Sequence, residues 1–454
     1  MIDHAEIIAT FIDAAGPPRD AHTSGTLARA EAIRAAHPEV ERESIHTAAI
    51  LGDDAGVRDF LARNPEDATA SGGPRGWDAL TCLCFSRYLR LDRERAEGFL
   101  RAATALLDAG ASAMTGWWEP SHQPAPEWES ALYGAAGIAH DAALTRLLLE
   151  HGADPNDNET VYHTPESYDN DAMKVLVETG RLTPENLALL LIRKHDWHDR
   201  DGVAWLLEHG ADPRAHRWRG IGPLHHALAR DNSLEIITLL LDHGAEPTQA
   251  SRGSTGVALA ARAGRRDVLE LFRRRGVDLH LDGADALIAA CAMDDTAAVR
   301  AIADRQPALV AEVRANASRL LAAFAGTGNA EGIGQLLDLG IDAATRMAEG
   351  DGYWDIAAGS TALHVAAWRA RPDTVTLLLA RGAPVDARDG HGRTPLALAV
   401  RACVDSYWVE RRSPESVQAL LRAGASVRGV PHPSGYDEVD ALLAAAATAS
   451  SGAD

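Results

Sequence analysis

STALHVAAWRARPDTVTLLLARGAPVDARDGHGRTPLALAV, residues 360–400, holds one structural unit and the start of the next. Its first apolar stretch, LHVAAW (363–368), is short and rich in alanine. The second, LLLARG (377–382), is rich in leucine and stops at Gly382. Glycine there supplies the left-handed backbone that ends a helix. A polar turn joins the two stretches. The pattern predicts a pair of short helices whose alanines let neighbours approach and whose leucines supply the buried area, at about 25 cal/mol per Å². One such pair cannot bury its own apolar face, so it must stack on others.

The same ending recurs along the chain. Leucine-rich stretches close at Gly110, Gly152, Gly180, Gly210, Gly244, Gly276, Gly340, Gly382 and Gly424. The steps are 42, 28, 30, 34, 32, 64, 42 and 42 residues. The step of 64 is two periods of 32, with AIADRQPALV (301–310) as a unit lacking its glycine. FLARNPEDA (60–68) is another. Tight polar turns sit between the two stretches: LGDDAG (51–56), ARDNS (229–233), AMDDT (292–296) and GTGNAE (326–331). Length alone, 454 residues, would suggest roughly three domains. A period near 33 replaces that expectation with one repeated unit.

This unit resembles the ankyrin repeat. Residues 360–400 carry a TPLHxAA-like start, an LLLxxGA end and an xDxxGxTPL connector. GPLHHALARDNSLEIITLLLDHGAEP (222–247), SALYGAAGIAHDAALTRLLLEHGADP (130–155) and SIHTAAILGDDAGVRDFLARNP (44–65) also fit. The stretches near 160–182 and 283–346 depart from the pattern. The resemblance implies an all-α ankyrin-repeat solenoid of stacked helix-turn-helix units with helical caps. About eleven repeats would fill 44–430, with an N-terminal helical cap at 1–43 and a capping helix and frayed tail at 431–454. It also implies short first helices on a concave side and hairpin fingers projecting from the connectors. His46, His225 and His364, at the TPLH position, would tie adjacent connectors by hydrogen bonds.

Departures from the period then mark particular surfaces. Two long steps place their extra residues in fingers: ASAMTGWWEPSHQPAPEW (111–128) and IDAATRMAEGDGYWDIAAG (341–359). A third, VDSYWVERRSPES (404–416), falls between two helices and is expected at the opposite edge. Aromatic residues are 5% of the chain, yet they concentrate here. Trp117, Trp118, Trp128, Tyr353 and Trp354 lie in the long fingers, Trp218 and Trp77 in ordinary connectors, and Trp368 on a first helix. Such rings either pack over neighbouring connectors as small cores or hold a partner, since Trp and Tyr are enriched in interface hot spots. Trp117, Trp118, Trp128, Trp218, Tyr353, Trp354 and Trp368 are the candidate partner-binding residues.

Composition narrows the function. The formal charge is −21, which disfavours general nucleic-acid binding. No stretch approaches the ~18 continuous apolar residues of a membrane span. Four sparse cysteines without a CxxC, and an acidic amphipathic start in place of a secretion signal, point to the cytoplasm. Only Lys174 and Lys194 are lysines; with the abundant alanine this matches a bacterial coding bias. Among 19 histidines, His151, His209 and His243 precede helix-ending glycines, where a cation suits the helix dipole. KHDWHDRD (194–201) is the one dense ligand-like cluster, and it reads as a polar surface rather than a metal site. ARAGRRDVLELFRRRG (261–276) reads as a solvated face balanced by Asp267 and Glu270. No P-loop, GxSxG, HExxH or EF-hand signature is present, and no cofactor is expected.

The expected function is a non-catalytic, monomeric module that binds an as yet unidentified protein partner through its fingers and concave first-helix face. The alternative is an enzyme or small-molecule binder with a site in the concave groove, covered by the long fingers. A third reading, an acidic mimic of nucleic acid, is weakened because the acidic residues are dispersed rather than blocked.

Overall fold

The computed structural model describes residues 4–18, 21–215, 220–406 and 408–451. It is built almost wholly of short helices. They form two compact units, Met1–Ala245 and Glu246–Asp454. Within each unit successive helix pairs pack on one another.

The unit that decides the fold forms as its sequence predicts. Its helices are Ala362–Trp368 and Pro372–Ala380, followed by Pro395–Asp405 of the next pair. Gly382 adopts φ +82°, and the turn closes with Ala383 N–H on the Leu378 carbonyl at 2.9 Å. The polar turns act as caps. Asp53, Ser233, Asp295 and Asn329 each accept from the backbone N–H three residues on, satisfying a donor the helix start leaves open. Asn329 does more: its amide also donates to the Gly264 and Ala292 carbonyls, both at 2.8 Å, joining three successive pairs.

Leu80, Leu106, Leu148, Leu176, Leu206 and Leu240 are buried in the first unit, and Leu336, Leu363, Leu378 and Leu420 in the second. The ends carry helices at His4–Ala15 and Ala28–Ala36, and at Asp437–Ser451. The irregular 283–346 stretch has a physical explanation. Gly283–Ala292 and Thr296–Arg305 make the pair without its glycine, and the helix Pro307–Ala315 then stands where a finger would project. Among the described residues no helix is long and apolar enough to cross a membrane. All four cysteines are free and buried.

Candidate functional site

The first long finger is a β-hairpin. Strand β1 (Gly116–Glu119) pairs antiparallel with β2 (Glu127–Ser130), with Trp117 opposite Glu129 and Trp118 opposite Trp128. Gly116 starts the ladder because a side chain there would collide with the Glu129 carbonyl, 2.2 Å from an added Cβ. Side chains alternate faces along a strand, so the aromatics divide. Trp117 turns inward, 5.0 Å from Trp77, 5.9 Å from His22 and 6.0 Å from Phe85, ring centre to ring centre. Trp118 and Trp128 turn outward as an edge-to-face pair at 5.3 Å. Trp118 is 63% exposed, and Met114, just before β1, is 53% exposed.

Beneath the hairpin lies a cluster of acids and histidines. Glu119 and Glu129, on the same inward face as Trp117, are fully buried. Neither carboxylate oxygen of Glu129 has a hydrogen-bond partner. His122 Nε2 stands 3.5 Å from one and His22 Nδ1 3.9 Å from the other. Ligand atoms of His122, Glu129 and Glu159 lie within 4.8 Å of one another. Glu159, on the helix Asn158–His163, is paired with His163 Nε2 at 3.2 Å. Among the described residues no arginine or lysine pairs with Glu119, Glu129 or Glu159. Burial, reinforced by the charge of Glu159, pushes the Glu129 carboxyl up to about 8. Burial opposes the charged form of His163, but bonds to Glu159 and Glu166 outweigh it and raise the ring to about 9.

The second long finger has no extended ladder. It is pinned by backbone pairs between Asp351 and Ile356 and between Met347 and Ser360. Tyr353 meets Trp354 edge to face at 4.5 Å. Trp354 stacks on Trp408 at 5.3 Å, and the Arg369 guanidinium lies 3.7 Å from the first ring and 4.2 Å from the second. Trp368, 2% exposed, donates its indole N–H to the Trp354 carbonyl at 2.7 Å. Trp368 therefore offers its ring to the protein, not to solvent. Trp408 belongs to the 404–416 insertion, so that insertion meets the second finger through this stack instead of standing apart at an opposite edge. Trp218 lies outside the described residues.

Several polar motifs resolve into structure. His46 Nε2 bonds the Ala70 carbonyl and His364 Nε2 the Ala387 carbonyl, each at 3.0 Å across a connector. His225 is buried at the equivalent position. His151, His209 and His243 each bond the carbonyl four residues back through Nδ1. Stretch 194–201 is not the polar surface its composition suggests. Lys194 and His195 are fully buried; Lys194 pairs with Asp199 at 2.8 Å and also bonds the Pro165 and Ser167 carbonyls. Asp196 serves Arg193, His226 and Arg230. Burial resists its charge, yet the bond from His226 leads in holding the carboxyl down at about 2. Burial pushes His195 down to about 3. In the arginine-rich stretch, Arg262 grips Asp285 through two bonds at 2.6 and 2.7 Å. Arg265 pairs with Asp267 at 2.8 Å and Arg266 with Glu270 at 3.0 Å.

The acid–histidine cluster was not legible in the sequence. Its members are separated by 7 and 30 residues (122, 129, 159), and only the hairpin register together with the packing of the helix Asn158–His163 on β2 brings them together. The one available signal was a pair of glutamates at alternate positions to tryptophans in a finger.

Comparison with known proteins bears on the repeats themselves. Residues 189–282 match the family model described as ankyrin repeats (3 copies), and residues 336–399 the one described as ankyrin repeats (many copies). "Serine/threonine-protein kinase 12" of Arabidopsis thaliana is 47% identical over 77 residues, 17% of this chain and 15% of that protein. "Ankyrin repeat domain-containing protein 9" of Mus musculus is 33% identical over 89 residues, 20% of this chain and 27% of that protein. The matches thus span about a quarter or less of either relative. The solved ankyrin repeat domain of human ASB11 is 23% identical, with a TM-score of 0.38, covering 48% of this chain and 91% of that one. Ankyrin repeats generally mediate protein–protein interaction. With two matched stretches set among helix pairs of the same pattern, the chain carries ankyrin repeats at 189–282 and 336–399.

Proposed function

We propose that this chain is a non-catalytic, monomeric interaction module, working in the cytoplasm, that holds a protein partner against the outward face of its first finger and the neighbouring first-helix face. The observation that carries this reading is the Trp118–Trp128 pair. A tryptophan 63% exposed, braced edge to face by a second ring on a two-stranded hairpin, loses little side-chain freedom on binding. Large rigid rings of this kind dominate interface energetics. Met114, two residues before β1 and 53% exposed, adds adaptable apolar surface to the same finger. Of the seven tryptophan and tyrosine candidates, Trp118 and Trp128 are the ones this reading ranks first, because Trp117, Trp354 and Trp368 are committed to contacts inside the chain. The free, buried cysteines fit a reducing compartment.

The test is affinity capture from the native host's lysate, comparing wild type with Trp118→Ala/Trp128→Ala and reading the captured proteins by mass spectrometry. A protein retained by wild type and lost by the folded double variant supports the reading. Equal capture by both, or no specific capture by wild type, sinks it.

A further inference from the structure

We propose that the acid–histidine cluster beneath the first finger is a binding site for one divalent transition-metal ion of the zinc class, held by His122 Nε2, Glu129 and Glu159. The donor set is imidazole plus two carboxylates, a combination suited to such ions. The three ligand atoms already lie within 4.8 Å of one another. Bonds of about 2.0–2.1 Å to a tetrahedral ion would draw them to roughly 3.3–3.5 Å apart. His122 sits between β1 and β2 with a third of its side chain exposed, so it can make that closing movement.

Two buried carboxylates point to a cation site. Glu129 is fully buried with neither oxygen bonded, although buried polar groups are nearly always partnered. Glu119, equally buried, leaves its Oε2 without a partner. Two fully buried carboxylates and the largely buried Glu159 thus share one cluster with only histidines to offset them among the described residues. A buried carboxylate stays charged only when it is paired or coordinates a metal, and otherwise takes up a proton; the ion would displace that proton from Glu129. The surrounding bonds are those a ligating carboxylate uses for orientation: His163 Nε2 holds Glu159, and His163 Nδ1 is held by Glu166 at 3.0 Å. The exposed side of His122 leaves the fourth position to water. Since Glu159 lies on the next helix pair, the ion would tie the finger to the body of the first unit and fix the pose of Trp118 and Trp128.

The full-length chain is stripped with a chelator, titrated with Zn²⁺ by calorimetry, and separately loaded with Co²⁺ for absorption spectroscopy. One equivalent should bind, with a raised Tm and the intense visible bands of low-coordinate cobalt. Glu129→Gln keeps the shape of the side chain and removes the ligating carboxylate, so it should fold while weakening Zn²⁺ binding at least tenfold. His122→Ala, at a partly exposed loop position, should do the same and weaken the cobalt bands. No saturable binding to wild type would overturn the proposal. So would affinity and spectra unchanged in the His122→Ala/Glu129→Gln variant, which would place the ion on other histidines.

Discussion

The two long fingers carry similar aromatic content and put it to opposite uses. In the first, a regular antiparallel ladder forces alternation, so one tryptophan anchors the hairpin and two rings are left facing out. In the second there is no such ladder. Its Trp354 closes a stack with Arg369 and Trp408, and Trp368 bonds its carbonyl from below. A finger with a regular ladder can free aromatic surface for a partner. A finger with only isolated backbone pairs uses its rings to hold itself down.

The contrast breaks most sharply at Trp354. Trp354→Ala should cost about 3 kcal/mol in urea unfolding, because it removes a ring packed on both an indole and a guanidinium. Trp118→Ala should cost less than about 1 kcal/mol, since its ring is mostly in water. Equal losses at the two positions would erase the distinction between anchoring and presenting fingers.

Binding should show the reverse order. Once a partner is identified, Trp118→Ala/Trp128→Ala should weaken it by about 2 kcal/mol, roughly thirtyfold, measured by calorimetry. Tyr353→Ala, in the anchoring finger, should change affinity less than about threefold, the level of a residue outside a hot spot. A larger effect at Tyr353 than at Trp118 would transfer the partner surface to the second finger.

How much of this was readable from residues alone varies with range. The helix pairs were legible because leucine stripes, alanine stretches and terminal glycines are local patterns, and Gly382 and Asn329 act where the pattern puts them. The fingers were legible as surplus length. Which way their rings point was not, because orientation depends on strand register at Trp117–Glu129 and on Trp408 arriving from 54 residues downstream of Trp354. The same limit hid the burial of Lys194. A run of Lys, His and Asp is polar by composition, and only the carbonyls of Pro165 and Ser167 make its burial tolerable.

That buried run separates the first unit from the second finger in acid. His195 is fully buried, and its ring is held down to about 3, against about 6.5 when exposed. The unfolded chain therefore binds the extra proton between those values. Stability from this group is fully present above about pH 6.5 and is lost as pH falls toward 3, by up to about 1.4 kcal/mol per pH unit. His226, His198 and Asp196 are the titratable groups acting on it. His195→Leu should flatten the fall in first-unit stability between pH 6 and 4, followed by hydrogen exchange in the helix Pro184–Lys194. An unchanged slope would mean that His195 acquires its proton without unfolding.

The smallest expected effect discriminates most directly between the two uses of an aromatic pair. In a double-mutant cycle on stability, Trp118 and Trp128 should couple by about 0.5–1 kcal/mol, the value of an edge-to-face contact in a cross-strand pair. That is enough to hold two rings in one orientation and too little to be the reason the hairpin folds. The inward contacts of Trp117 with Trp77 and Phe85 serve that purpose instead. A coupling above about 2 kcal/mol would make the outward pair a structural clasp like Trp354 on Trp408, and the first finger would lose its claim to a presenting face. A coupling near zero would leave Trp118 free to rotate, and a partner would then have to meet the entropy of fixing it.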